Sequence, residues 1–242
     1  MYVDLSELAK SFVNVPNRNL NHQQSPRWAG NMPQPAKYNR DFLVRYLLHS
    51  CRLYQQVNKP GSIPVLQALL EVEPENGEVH YLLARQYEMV GNLEAALESF
   101  ECAAALRPDK PTYTLAGAAA ACFLGRREKG LAMVCSVISA YPDMVEAYAE
   151  RALIYETDEN WRRALDDYQM CGRLEPQNPL FATAEARMYR LQKQYKMARR
   201  CASRALKLDP TFNPAHEELR LLPFFDQFSD FFHAEESSKV KS

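Results

Sequence analysis

Long apolar runs are missing from this 242-residue chain: no stretch of about 18 apolar residues occurs, so nothing in the sequence reads as a membrane span. An excess of charge of one sign is missing as well. Lys and Arg number 29 against 30 Asp and Glu, a formal net charge of −1. The molecule as a whole therefore has no bulk attraction for nucleic acid or acidic lipid, and any electrostatic selectivity has to be local. The N-terminus, Met1-Tyr2-Val3-Asp4-Leu5, lacks a basic segment followed by an apolar block, which points away from secretion. Clustered thiols are absent too. Cys51, Cys102, Cys122, Cys135, Cys171 and Cys201 form no C-x-x-C pair, which a zinc knuckle or a disulfide frame would need. Most lie among apolar neighbours, as expected of reduced, buried thiols acting as small hydrophobes in a cytoplasmic protein. No glycine-rich phosphate loop, nucleophile elbow or H-E-x-x-H is present. The adjacent carboxylates Asp166-Asp167 and Asp158-Glu159 fit solvated helix faces and turns better than a catalytic dyad. No catalytic residue, metal ligand or cofactor site emerges, and the expectation is a non-enzymatic chain.

What the sequence does contain is a period. Pro74, Pro108, Pro142, Pro176 and Pro210 follow one another at intervals of 34 residues. Small residues keep the same step: Ala84, Ala118, Ala152 and Ala186; Ala96, Gly130, Ala164 and Ala198; Ala103, Val137, Cys171 and Ala205. A bulkier column reads Tyr87, Ala121, Tyr155, Tyr189, and His80 and His216 share one position, which gives those histidines a structural reading. Two small side chains per repeat let antiparallel helices approach closely, while Leu83, Tyr87, Leu97 and Phe100 fill the space above and below. Between the helices lie the turns Gly91-Asn92, Gly125-Arg126, Glu159-Asn160 and Lys193-Gln194; glycine suits a chain leaving a helix in the left-handed region. Proline ends each second helix because it lacks the next backbone donor. Runs of β-branched residues and Asn-Gly hairpin turns are scarce, so the fold class is all-α. With 47% hydrophobic and 24% charged residues, the composition is that of a globular chain.

This pattern resembles the tetratricopeptide repeat (TPR) family, whose small–small–aromatic–proline scheme is matched best over residues 77–110 by Ala84, Tyr87, Ala96, Phe100, Ala103 and Pro108. Residues 145–178 match through Tyr148, Ala152, Tyr155, Ala164, Tyr168 and Pro176. Residues 111–144 depart most, with Ala121 and Val134 where aromatics are common. The resemblance implies a right-handed α-solenoid of 34-residue helix–turn–helix repeats. The expected organisation is an N-terminal arm (1–37), a degenerate leading hairpin (38–76), four repeats (77–110, 111–144, 145–178, 179–212), a capping helix (213–232) and a polar tail (233–242).

The resemblance also implies a concave groove lined by the first helix of each repeat. Its positions in the four repeats are Glu78, Tyr81, Leu82, Arg85, Glu88 and Met89; Thr112, Leu115, Ala116, Ala119, Cys122 and Phe123; Glu146, Ala149, Glu150, Leu153, Glu156 and Thr157; and Leu180, Thr183, Ala184, Arg187, Arg190 and Leu191. The candidate contacts are Tyr81, Arg85, Leu115, Ala119, Phe123, Glu146, Glu150, Arg187 and Arg190: an apolar middle, an acidic third segment and two arginines in the fourth. Relatives that grip the C-terminal carboxylate of chaperones carry a Lys/Asn set on successive first helices. Here Tyr81, Arg85, Ala116, Glu146 and Glu150 occupy those places, so a chaperone tail is not an expected partner.

Charge is uneven along the chain. Residues 145–178 hold eight acids and four bases, residues 179–212 two acids and eight bases. Lys196, Arg199, Arg200, Arg204 and Lys207 span roughly 140° of one helix, a basic stripe readable as a solvated surface, as a contact for an acidic protein surface or, less in keeping with the net charge, for RNA or anionic lipid. At the ends, Leu5, Leu8, Ala9, Phe12 and Val13 share a helical face before a proline-rich arm holding Trp28. Phe224, Phe225, Phe228, Phe231 and Phe232 form another face, suited to capping the last repeat or to a partner. The functional expectation is a cytoplasmic adaptor or scaffold holding a helix or extended segment of another protein. The alternative is a constitutive subunit of a large assembly, such as a ciliary axoneme.

Overall fold

The computed structural model describes residues 62–223. The N-terminal arm, most of the leading hairpin, Cys51 and the aromatic row from Phe224 to Phe232 lie outside the described residues. Within them the chain is all-helical, with no strand: α1 (Ile63–Val72), α2 (Gly77–Met89), α3 (Leu93–Leu106), α4 (Pro111–Phe123), α5 (Arg127–Ala140), α6 (Val145–Thr157), α7 (Trp161–Leu174), α8 (Pro179–Leu191), α9 (Tyr195–Leu208) and α10 (Asn213–Arg220). The chain divides into two compact units, one ending at Gly130 and one beginning at Leu131. In the first, α1 packs on α2, α2 on α3 and α3 on α4. In the second, α6 packs on α7, α7 on α8, α8 on α9, and α10 on both α9 and α8.

Local chemistry explains where each helix begins and stops. The first helices start at Gly77, Pro111, Val145 and Pro179, and α10 starts at Asn213, all in the 34-residue step. Proline opens α4 and α8, where its missing N–H costs nothing. The side chains of Asn76, Asn92, Asn160 and Asn178 accept backbone N–H bonds at 3.1–3.3 Å and cap α2, α3, α7 and α8. The periodic prolines each sit two residues past the end of a second helix, and three of their carbonyls are used. His80 Nε2 lies 2.9 Å from the Pro74 oxygen, His216 Nε2 lies 2.9 Å from that of Pro210, and Tyr148 donates its hydroxyl to Pro142 at 3.1 Å. One repeat position thus ties the start of a first helix to the turn before it, whether His or Tyr occupies it.

The turns inside the hairpins share one construction. The N–H groups of Asn92, Arg126, Asn160 and Gln194 donate to the carbonyls of Tyr87, Ala121, Tyr155 and Tyr189 at 2.8–2.9 Å. This is a Schellman closure, and it demands a left-handed residue just before. Gly91 (φ 80°) and Gly125 (φ 75°) meet that demand freely, whereas Glu159 (φ 55°) and Lys193 (φ 61°) meet it against their own Cβ. Glu159→Gly and Lys193→Gly should therefore each stabilise the chain by about 0.5–1 kcal/mol, after the glycine's extra unfolded-state entropy is deducted. Urea unfolding checks this, and a lowered midpoint for both would contradict it.

The cores follow the small-residue columns. Ala84, Ala118, Ala152 and Ala186 are completely or almost completely buried, as are Ala96, Ala164 and Ala198. At Gly130 even a methyl group has no room. A Cβ there would stand 3.0 Å from the Ala118 carbonyl oxygen and against Cys122 Sγ, which explains glycine where the other repeats carry alanine. The five described cysteines form no disulfide with one another. Cys171 and Cys201 are buried, Cys122 and Cys135 half-buried, but Cys102 is exposed, contrary to the expectation of inward thiols.

The capping helix is shorter than the expected 213–232. It ends at Arg220 because Pro223 follows, removing a backbone donor and disfavouring helix at the residue before it. Its Ala215 enters a cluster with Ala182 and Ala205, and Leu219 packs beside Ala186, Cys201 and Ala202. Among the described residues no helix is long and apolar enough to cross a membrane.

Candidate protein-binding surfaces

In the first unit, α2 and α4 supply the expected groove residues, and their environments differ sharply. Tyr81 of α2 stacks on Tyr113 of α4, ring centroids 4.3 Å apart and planes at 14°, and tilts against Phe100 at 5.7 Å. Both tyrosines are half-buried, and burial pushes the Tyr113 hydroxyl above the ordinary phenol range. Arg85 is exposed and paired with Glu88 one turn along α2. Leu115 is only 6% exposed and so belongs to the packed interior, while Ala119 is half-buried and Phe123 stands 75% exposed at the end of α4. A Leu115→Glu exchange would therefore bury a carboxylate; Phe123 is the position that probes the surface.

In the second unit, Glu146 is exposed. Glu150 is half-buried without a hydrogen-bonding or ionic partner among the described residues, and desolvation raises its pKa above the usual carboxylate value. The two arginines are not the free cationic end that the sequence suggested. Arg187 is paired with Glu156 at 2.6 Å, and the Tyr168 hydroxyl donates to the same Glu156 oxygen. Arg190 forms a two-pronged pair with Glu218 of the capping helix, at 2.7 and 3.4 Å. Both are spent inside the unit, tying α8 to α6 and to α10. The repeat spacing held a clue: Glu156 lies 31 residues before Arg187, close to one period, which puts them on neighbouring first helices.

The basic stripe also splits. Lys196, Arg200 and Lys207 are exposed and Arg199 is half-buried, with its Nη2 enclosed and lacking a hydrogen-bond acceptor. Arg204 reaches back to Glu185 of α8 at 2.6 Å. Glu185 is 5% exposed, and burial raises its pKa against the opposing pull of Arg204. No group of three or more metal-ligating side chains gathers among the described residues.

One other feature could not be read from local sequence. Arg151 of α6 forms a bidentate pair with Asp167 of α7, at 2.9 and 2.7 Å, inside the second unit. Leu153 and Leu180, both among the groove positions that the resemblance implies, stand 48% and 51% exposed on first helices.

Similarity to known proteins agrees with this architecture. MamA from Desulfovibrio magneticus RS-1 superposes with a TM-score of 0.61 at 17% identity, over 70% of this chain and 96% of that one. YrrB, described as a TPR protein with an unusual peptide-binding site, gives 0.58 at 14% identity, over 72% and 91%. TTC0263, a thermophilic TPR protein of Thermus thermophilus, gives 0.56 at 18% identity, over 73% and 97%. The fold is that of a TPR solenoid. At these identities the likeness concerns the fold of the TPR array and not its partners. Among curated sequences, the human protein O-mannosyl-transferase TMTC1 is 30% identical over 97 residues, which is 40% of this chain. The match spans 11% of the length of that relative. No family model matches the chain.

Proposed function

We propose that this chain is a non-enzymatic protein-binding scaffold that holds a helical or extended segment of another protein on the faces of its first helices. One observation carries the reading. The large apolar side chains left exposed include Met89 on α2, Phe123 on α4, Leu153 on α6, and Leu180 and Leu191 on α8. Every first helix of the four repeats thus offers at least one, and all five occupy positions that TPR proteins turn toward a ligand. Packing within a repeat has no use for them, so covering them with a further segment relieves their contact with water. In the second unit the half-buried Glu150 of α6, without a hydrogen-bonding or ionic partner among the described residues, adds a preference: a Lys or Arg of a segment bound there would match it. Among the described residues of these faces, nothing assembles acid–base or nucleophilic chemistry.

Phe123→Glu tests the reading. The side chain is so exposed that helix content should not change, while a lost aromatic anchor should weaken partner binding by about 2 kcal/mol, roughly thirtyfold in Kd. Proximity labelling in cells identifies the partners, and titration of each against the wild-type and variant chains measures the loss. A matched exchange on a second helix, Leu208→Glu, should leave affinity intact. Equal affinity of the Phe123 variant for every partner would remove the first-helix faces from consideration.

A further inference from the structure

Three members of the basic stripe do more than decorate α9. Arg200, Arg204 and Lys207 fall at i, i+4 and i+7 on one face. Together with Gln169 of α7 and Glu185 and Tyr189 of α8, they line a cavity of about 480 Å³, to which Met197, Cys201 and Ser203 of α9 also contribute. That volume lies in the range of ligand pockets. Its polarity is one-sided. Glu185 is the single carboxylate in the lining and is already engaged by Arg204 at 2.6 Å. Neither Arg200 nor Lys207 is paired with a carboxylate among the described residues. Two cations at the rim are therefore unmatched. The walls between them are apolar: Met197 is exposed at the mouth, and the buried Cys201 thiol, pushed up to about 11 by desolvation, stays neutral.

We propose that this cavity is a second recognition site, separate from the first-helix faces, which takes an acidic segment of a partner protein. Two of its carboxylates meet Arg200 and Lys207, and an apolar side chain between them rests on Met197 and Tyr189. The spacing supports this occupant, since Arg200 and Lys207 are attached about 10 Å apart along the helix axis. Acidic residues two turns apart on a helix have the same separation. A phosphodiester chain fits less well: its dense negative charge would be driven toward the buried Glu185, and it has no alkyl group for Met197. Because these groups lie on α7, α8 and α9 within one unit, the site does not depend on the reading given for Phe123.

The test is fluorescence anisotropy on the full chain, with a labelled peptide of about a dozen residues that carries glutamates seven positions apart, with leucines between them on the same helical face. The peptide should bind, and the affinity should fall severalfold between about 50 and about 300 mM salt, because two of the contacts are rim charges. The double exchange Arg200→Ala with Lys207→Ala should weaken binding at least about tenfold, and Met197→Gln should weaken it severalfold. All three side chains are exposed, so helix content should be preserved. Phe123→Glu should have no effect on this peptide. The proposal is overturned by absence of binding, by equal binding of the glutamine version of the peptide, or by indifference to the double exchange. Tighter binding of a single-stranded oligothymidine at the same residues would reassign the cavity to phosphate. Loss of peptide binding through Phe123→Glu alone would move the contact to the first helices.

Discussion

Phe100→Ala should destabilise the first unit by about 3–5 kcal/mol, the range for emptying a fully packed aromatic site. Phe100 is completely buried in α3, surrounded by Ala84, Ala96, Leu97, Ala120 and Ala121, with the Tyr81 ring 5.7 Å away. Four of those neighbours are alanines, and a methyl group has no rotamer with which to reach into the vacated space. The backbone would have to close in, and α2, α3 and α4 already approach through those same alanines. The equivalent position in the last repeat is Ala202, itself fully buried, so a small residue is acceptable there only because its surroundings differ. Stability in a helical array is distributed among neighbouring pairs, so the loss should appear as an early transition of part of the helical signal. Urea unfolding followed by circular dichroism measures it. A cost below about 1 kcal/mol would mean that Phe100 is not the centre of this core.

The second large effect concerns the Arg151–Asp167 pair. Asp167 is 4% exposed, whereas the Arg151 side chain keeps about one-fifth of its surface in water, packs 5.7 Å from the Tyr148 ring centroid, and donates to Cys135 Sγ at 3.6 Å. The asymmetry predicts unequal single-exchange costs. Arg151→Met leaves an enclosed carboxylate with no counter-ion and should cost about 3–4 kcal/mol, while Asp167→Leu strands a guanidinium that can still reach solvent and should cost about 2–3 kcal/mol. Making both exchanges removes the desolvation penalty of each charge and should return stability to within about 1 kcal/mol of the starting chain. Denaturation of the four proteins completes a double-mutant cycle. Additive losses in the double variant would show that the two side chains act independently, contrary to the bidentate geometry.

Much of the fold was legible along the chain. Prolines in step, small residues where helices cross and turn residues between them are local signals, because a helix end or a close approach is decided by the residue that makes it. The four hairpin turns fall where the repeat places them, including the two in which Glu159 and Lys193 hold left-handed φ angles without glycine. The capping helix stops short of its expected end because Pro223 interrupts a row of residues whose spacing alone suggests continuation. The candidate groove was legible only as a set of positions. Helical spacing assigns Leu115 and Phe123 to the same face, yet one is packed away and the other is 75% exposed, since a wheel shows direction and not what lies opposite.

By itself the sequence determined an array of helical hairpins and the columns along which they touch, because each depends on backbone geometry within a few residues. Only the tertiary structure decided which charges remain available. Arg187, Arg190 and Arg204 look alike in the sequence, but each finds a carboxylate on another helix, 31, 28 and 19 residues away. Arg200 and Lys207, on the same helix as Arg204, do not. An ion pair needs two groups within a few ångströms, and distances of that kind between helices exist only once the chain has packed.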